Sequence, residues 1–239
     1  MDTGLVVQRI PTLPLQGVDE YRLLMLSYME EKNIAKSGCN GIISSVVPGL
    51  TEIFKEVLEG LSEEGKADIL VVDSKMSGIG FRIPAPEQIG ADRLSNAVAA
   101  FSLFKKPVAV IDFGSATTIT VVDGQGGYIG GSIMPGIGLM NESLGTKTSR
   151  LKKVEIREPE SALGRDTTGC ILSGLLLGSA GAVERLIEEM EAETGLIFST
   201  ILTGGYSSLI AGLIRRSYML RPNLTLEGLK ILYEKNRPQ

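Results

Sequence analysis

The sequence predicts an α/β fold, and three observations carry that reading. Apolar runs of strand length alternate with helix-spaced stretches through the first half. Val108 to Met134 reads as three strands joined by tight turns. The 239 residues, 43% hydrophobic and 22% charged, suffice for a sizeable core in one large domain or two small ones.

Leu5–Ile10 reads as a short strand, ended by Pro11 and Pro14. From Asp19, placed as an N-cap, the positions Tyr21, Leu24, Met25, Tyr28 and Met29 follow helical spacing to about Asn33. Gly41–Val47 is an apolar strand stopped by Pro48-Gly49, and Leu50, Ile53, Phe54, Val57, Leu58 and Leu61 give the next helix one face. Ile69–Asp73 is a buried strand, and 76–89 is a loop broken by Gly and Pro. Leu94, Ala97, Val98 and Phe101 then share a helical face.

Val108–Asp123 is the organising stretch. An apolar run ends on the carboxylate of Asp112, and the small turn Gly114-Ser115-Ala116 follows. A second run, rich in Thr, Val and Ile, closes at Asp123-Gly124, and a third spans Tyr128–Met134. Small residues let backbone amides and the hydroxyls of Ser115, Thr117 and Thr118 come close to phosphate oxygens, and a neighbouring carboxylate can hold a cation. A plain β-meander with an exposed Asp in its turn fits the same residues.

Beyond the meander the pattern gives a short helix near Leu139–Leu144 and a charged loop from Thr146 to Glu160, with Lys147, Arg150, Lys152 and Lys153 solvated. A long helix covers Thr168–Glu193, with glycines 174, 178 and 181 that suit close helix packing. Ile197–Thr203 is a strand, followed by a helix at Tyr206–Ile214, a strand at Tyr218–Leu220 and a final helix from Thr225, its cap, to Glu234.

Composition removes several classes of function. The net charge of −4, with no strongly basic block, argues against nucleic acid as the main partner. No run with the length and hydropathy of a membrane span is expected, and Met1-Asp2-Thr3-Gly4 has no signal-peptide character. Cys39 and Cys170 are expected as buried free thiols in a reducing cytoplasm. The chain has no histidine, which excludes His-dependent triads and His-ligated zinc and leaves acid–base work to carboxylates, Lys or Tyr.

Several segments in fixed order carry a specific resemblance. They are Gly41–Pro48, Gly90-Ala91-Asp92-Arg93, Asp112–Thr118, Gly130–Gly136, Leu163–Thr167 and Thr203-Gly204-Gly205. The chain resembles the type III pantothenate kinase family, also called the Bvg accessory factor family, over nearly its whole length. The resemblance implies the acetate and sugar kinase/heat-shock chaperone/actin superfamily, with two ribonuclease H-like domains around a cleft, at 1–105 and 106–239. It implies ATP-dependent phosphorylation of pantothenate to 4′-phosphopantothenate, the first step of coenzyme A synthesis. ATP with Mg2+ and a monovalent cation, potassium or ammonium, would be required. By the same resemblance Asp92 is the general base, and Gly90, Ala91, Arg93 and Thr167 bind pantothenate, Thr167 across a homodimer interface. Ser115, Gly114, Gly204 and Gly205 lie at the ATP, and Asp112 holds the cation. No membrane and no nucleic acid are implied, and the location is cytoplasmic.

The residues support this in part. Phosphoryl transfer needs positioning, charge neutralisation and an acceptor for the hydroxyl proton. A carboxylate is favoured at a helix N-terminus, where Asp92 is placed. As a plain structural feature, Asp92 is an N-cap with Arg93 as its ion-pair partner. Three departures from the family pattern stand out. Its opening strand and Asp-x-Gly-Asn-Thr loop are not found, and Asp2-Thr3-Gly4 reads as a hairpin turn. Ile83 replaces a Tyr expected to line the pantothenate site, and Ser115 replaces a Thr. The alternatives are an impaired homologue with a binding or regulatory role, and a kinase for another small hydroxyl compound.

Overall fold

A computed structural model describes residues 6–10, 16–35, 40–62, 67–76 and 78–237. The first part runs α1 (Val18–Glu31), β1 (Gly41–Ile43), α2 (Pro48–Leu61), β2 (Ile69–Val71), β3 (Gly80–Phe81) and α3 (Ala91–Phe104). The meander follows as β4 (Val108–Phe113), β5 (Ala116–Val122) and β6 (Gly127–Pro135). Then come α4 (Ile137–Lys147), α5 (Thr167–Thr194), β7 (Ser199–Thr203), α6 (Ser207–Ile210), β8 (Tyr218–Leu220) and α7 (Leu224–Asn236).

Among the described residues the strands form two sheets. β1 and β2 pair in parallel, Gly41 opposite Ile69. The larger sheet has six strands in the order β3-β6-β5-β4-β7-β8. β4, β5 and β6 are antiparallel neighbours, whereas β7 joins β4 and β8 joins β7 in parallel. Three antiparallel strands followed by two parallel ones is the ribonuclease H-like arrangement that the motifs imply.

Side-chain alternation splits the core between the two faces of this sheet. Ala109, Ile111, Phe113, Ile119 and Val121 pack with Ile171, Leu175, Leu176 and Val183 of α5. Val108, Val110, Val122, Tyr128 and Ile201 pack on the other face with Ala97, Ala99 and Ala100 of α3 and Leu224 of α7. α3 and α7 touch so closely that a Cβ at Gly228 would stand 1.9 Å from the Ser95 carbonyl oxygen. A third cluster joins Leu94 and Val98 of α3 to Leu232 of α7 and Val72, and so ties the large sheet's helices to the small sheet.

Several expectations are corrected. Val6–Ile10 forms no strand, while Leu5, Pro11, Pro14, Cys39 and Asp2-Thr3-Gly4 lie outside the described residues. The N-cap of α1 is Gly17, whose amide donates to the Glu20 carboxylate, and Asp19 sits inside the first turn. β1 stops at Ile43, short of Val47, and Pro48 opens α2 instead of merely ending the strand. The 76–89 loop contains β3 and a 3-10 turn at Pro86–Gln88. The helix expected over Tyr206–Ile214 breaks into α6 and a 3-10 turn, Ala211–Leu213. Asn223, not Thr225, caps α7.

Cys170 is free and exposed, contrary to the buried thiol expected. Gly174, Gly178 and Gly181 have nothing within 4 Å of a built Cβ, so no other described element packs against them. α5 is long and apolar enough to cross a membrane, with a mean hydropathy of 1.5, which the reading of the sequence denied. Its Ile171, Leu175, Leu176, Val183 and Ile187 are nevertheless core residues packed on the large sheet.

Candidate functional site

β4 delivers Asp112 to the last-but-one position of the strand, on the sheet face that carries α3 and α7. Strand pairing sets Thr118 of β5 and Thr203 of β7 beside it. Thr117 belongs to the opposite face by alternation, so only Thr118 of that pair shares the face of Asp112. Asn96 of α3 is 1% exposed and donates from Nδ2 to Asp112 Oδ2 at 3.0 Å. The Thr225 hydroxyl of α7 donates to Asn96 Oδ1 at 2.8 Å. Oδ1 of Asp112 takes no hydrogen bond from a described residue and faces the turns at Gly114 and Gly204. Built Cβ atoms there would stand 3.1 and 2.3 Å away. Burial pushes the Asp112 carboxyl above the ordinary carboxylate range; the Asn96 hydrogen bond opposes this, and the negative charge of Asp92 adds to it.

Asp92 lies one helical turn before Asn96 on α3, and Asn96 holds Asp112, so the helix brings the two carboxylates into one neighbourhood. Asp92 occupies the first turn of α3, behind the N-cap Gly90, and its Oδ1 accepts from the Arg93 amide at 2.8 Å. Val46, 69% exposed in the β1–α2 connection, comes within 3.6 Å of a built Cβ at Gly90. An apolar wall therefore borders the carboxylate from the small-sheet side. Arg93 donates from its guanidinium to the Tyr128 hydroxyl and lies 5.6 Å from the centre of that ring. Tyr128 is 1% exposed, and burial raises its hydroxyl above the usual tyrosine range, against the pull of Arg93. A phenol kept neutral in this way is a fixed partner for the guanidinium. Ile83 packs among the apolar residues around Tyr128.

A groove of about 570 Å3 opens on the far side of Asp112. Gly114, Ser115, Gly138, Leu139, Gly205 and Tyr206 line it, with Arg9 and Glu142 at its edges. The sheet turn at Gly114–Ser115, the start of α4 and the Gly204–Gly205 turn converge there. Gly136, the N-cap of α4, approaches so near that a Cβ would stand 2.2 Å from the Ser115 carbonyl oxygen. The first amides of α4 have no side-chain cap, and a helix N-terminus beside small-residue turns suits an anionic group.

Of the site residues expected from sequence, Gly90, Ala91, Asp92 and Arg93 form one corner, and Gly114, Ser115, Gly204 and Gly205 form the other. Asp112 stands between them. Thr167 is not part of this group. It opens α5, on the opposite face of the large sheet, and is exposed beside a second groove lined by Cys170 and Gly174. Asn96, Thr225 and Tyr128 were missed. Asn96 could have been found, because it follows Asp92 by four residues and shares its helical face. Among the described residues no group of three or more Asp, Glu, His or Cys gathers into a metal cage. The oxygen donors at Asp112 suit a hard cation that takes most of its ligands from water and phosphate.

Comparison with known proteins completes the picture. A family model described as type III pantothenate kinase matches residues 2–189. A type III pantothenate kinase of Dehalococcoides mccartyi strain CBDB1 is 39% identical over 236 residues, covering 98% of this chain and 86% of the relative. One from Moorella thermoacetica is 34% identical over 219 residues, covering 91% and 85%. A crystal structure described as a conserved putative Baf family transcriptional activator from Campylobacter jejuni superposes with a TM-score of 0.56 at 17% identity, covering 82% of each chain. That likeness shows the fold alone.

Proposed function

The chain belongs to the type III pantothenate kinase family, and from that premise we propose how its residues divide the work. The reaction is ATP-dependent phosphorylation of pantothenate, with a divalent metal accompanying the nucleotide. The substrate hydroxyl oxygen forms a bond to the γ-phosphorus, the bond to the bridging oxygen breaks, and ADP leaves with that electron pair.

Asp92 orients the hydroxyl and accepts its proton. Arg93, held by Tyr128, meets the carboxylate of pantothenate, for which a guanidinium is matched in shape. Gly90 and Ala91 keep the backbone close, and Val46 offers an apolar wall. Gly114, Ser115, Gly204 and Gly205, with the start of α4, receive the phosphates. Asp112 holds a monovalent cation, whose charge offsets that of the phosphates. Residues 1–105 and 106–239 are the two lobes of the cleft in this reading, with β3 and α3 of the first packed onto the large sheet of the second.

Thr167 completes the pantothenate site of a second copy, because α5 carries it away from Asp92 within one chain. The outward-facing Gly174, Gly178 and Gly181 give that copy a surface of close approach. The setting is cytoplasmic.

One observation carries this reading: α3 bears both Asp92 in its first turn and Asn96, which holds Asp112 Oδ2 at 3.0 Å, while Asp112 Oδ1 faces the turns at Gly114 and Gly204. The test is pantothenate-dependent ADP formation by the full chain, in potassium and in sodium, beside Asp92→Asn. Turnover in potassium that falls about a thousandfold in the variant, with its melting temperature kept, is the expected result. An Asp92→Asn protein as active as the wild type would overturn the assignment.

A further inference from the structure

The buried amide of Asn96 joins two groups that lie far apart in the sequence. Its Nδ2 donates to Asp112 Oδ2 at 3.0 Å, and its Oδ1 accepts from the Thr225 hydroxyl at 2.8 Å. Strand β4, helix α3 and the last helix of the chain meet in this line. The two oxygens of Asp112 are thereby given different tasks. Oδ2 is tied to α3, and Oδ1 is left toward the turns at Gly114 and Gly204.

An amide can sit in such a site in two orientations, related by a half-turn that exchanges oxygen and nitrogen. The half-turned form would press Oδ1 of Asn96 against a carboxylate oxygen and face its NH2 toward Thr225. The Asp112 carboxylate, which only accepts, selects the form that donates to it, and the Thr225 hydroxyl, donating to Oδ1, holds the other end of the amide in place. Without that hydroxyl a buried carbonyl oxygen loses its donor, and the amide that holds Asp112 is anchored at one end only. The close seat of α7 on α3 at Gly228 fixes the spacing. At the far end of α7, the Tyr233 hydroxyl donates to Asp68 Oδ2 at 2.9 Å, beside β2.

We propose that Asn96 and Thr225 are positioning residues for phosphoryl transfer, which hold the Asp112 carboxylate with one oxygen turned to the Gly114 and Gly204 turns. The inference rests on the role given to Asp112 above. Neither residue touches substrate; the C-terminal helix thus contributes to the active site through a side chain it never places there.

The experiment compares Thr225→Val, Thr225→Ala and Thr225→Ser in the full chain, with Tyr233→Phe and Asp112→Asn beside them. The readouts are kcat, KM for pantothenate, melting temperature and calorimetric affinity for a non-hydrolysable ATP analogue in potassium. Val and Ala are expected to lower kcat about tenfold and to weaken the analogue, with KM for pantothenate unchanged. Ser restores both readouts to within about twofold of the wild type, since it keeps the hydroxyl. Tyr233→Phe lowers the melting temperature without moving kcat. The proposal is overturned if Val and Ala behave as the wild type, if Ser is impaired as much as Val, or if Tyr233→Phe lowers kcat equally. Should Asp112→Asn lose activity while Val keeps it, only the positioning role fails. Should Asp112→Asn keep its activity, the role of Asp112 fails, and the positioning role with it.

Discussion

Gly204, in the turn after β7, and Asp112, near the end of β4, occupy adjoining space with no room for another atom. A Cβ on Gly204 would stand 2.3 Å from Asp112 Oδ1 and 2.6 Å from the Phe113 carbonyl carbon. The φ of +92° at Gly204 also lies in the region that side chains rarely adopt. Gly204→Ala therefore costs about 2 kcal/mol of stability and displaces the carboxylate. Chemical denaturation with ATP kinetics checks this, and an Ala variant of unchanged stability and KM for ATP contradicts it.

Asp112 is held against its own solvation. Its carboxylate is largely withdrawn from water, one oxygen is hydrogen-bonded, and Asp92 adds a like charge. Asp112→Asn keeps the shape and removes the charge. In potassium-free buffer at neutral pH the variant is expected to melt at a higher temperature than the wild type, while activity falls about a hundredfold or more. A lower melting temperature for the variant would count against the burial argument.

Tyr128 acts through Arg93. Tyr128→Phe keeps the ring under the guanidinium and removes the oxygen that receives its hydrogen bond. KM for pantothenate rises about tenfold, and kcat stays within about twofold. A fall in kcat at constant KM would assign Tyr128 to the chemical step instead.

Asp123 closes the β5–β6 turn. Its Oδ1 accepts from the Gly127 amide at 2.7 Å and the Gln125 amide at 2.8 Å, and Arg82 approaches Oδ2 at 3.3 Å. Burial works to raise the carboxyl, but these amides and Arg82 outweigh it and hold it below its ordinary 3.8. Such a group stabilises the fold fully above its ordinary range and ceases to do so as pH falls through the lowered folded value. Asp123→Asn accordingly costs about 1–2 kcal/mol at neutral pH, and the gap from wild type closes in acid. Urea titrations at both pH values measure it; a gap independent of pH would contradict the ionic origin.

The strand-turn-strand around Asp112 was legible in sequence because β-branched runs between Gly and Asp turns have one economical conformation. The order of the large sheet's meander and the acidic first turn of α3 came with it, as did the glycines at the Gly114 and Gly205 groove. Helix ends were read less well. Asp19 and Thr225 look like caps, yet Gly17 and Asn223 hold those places, since the cap is chosen where the chain enters the helix and not by residue type alone.

What the sequence alone determined is the alternation of elements, the family motifs and two carboxylates in a chain without imidazole. What only the tertiary structure decided is who holds those carboxylates. Thr225 is 129 residues from Asn96, and Tyr128 is 35 from Arg93. Local periodicity reports which face of an element is buried, but it carries no information about which distant element covers that face. Hydrogen bonds between α3, α7 and the sheet exist because apolar burial brought those three together, and the polar partners were fitted within that packing.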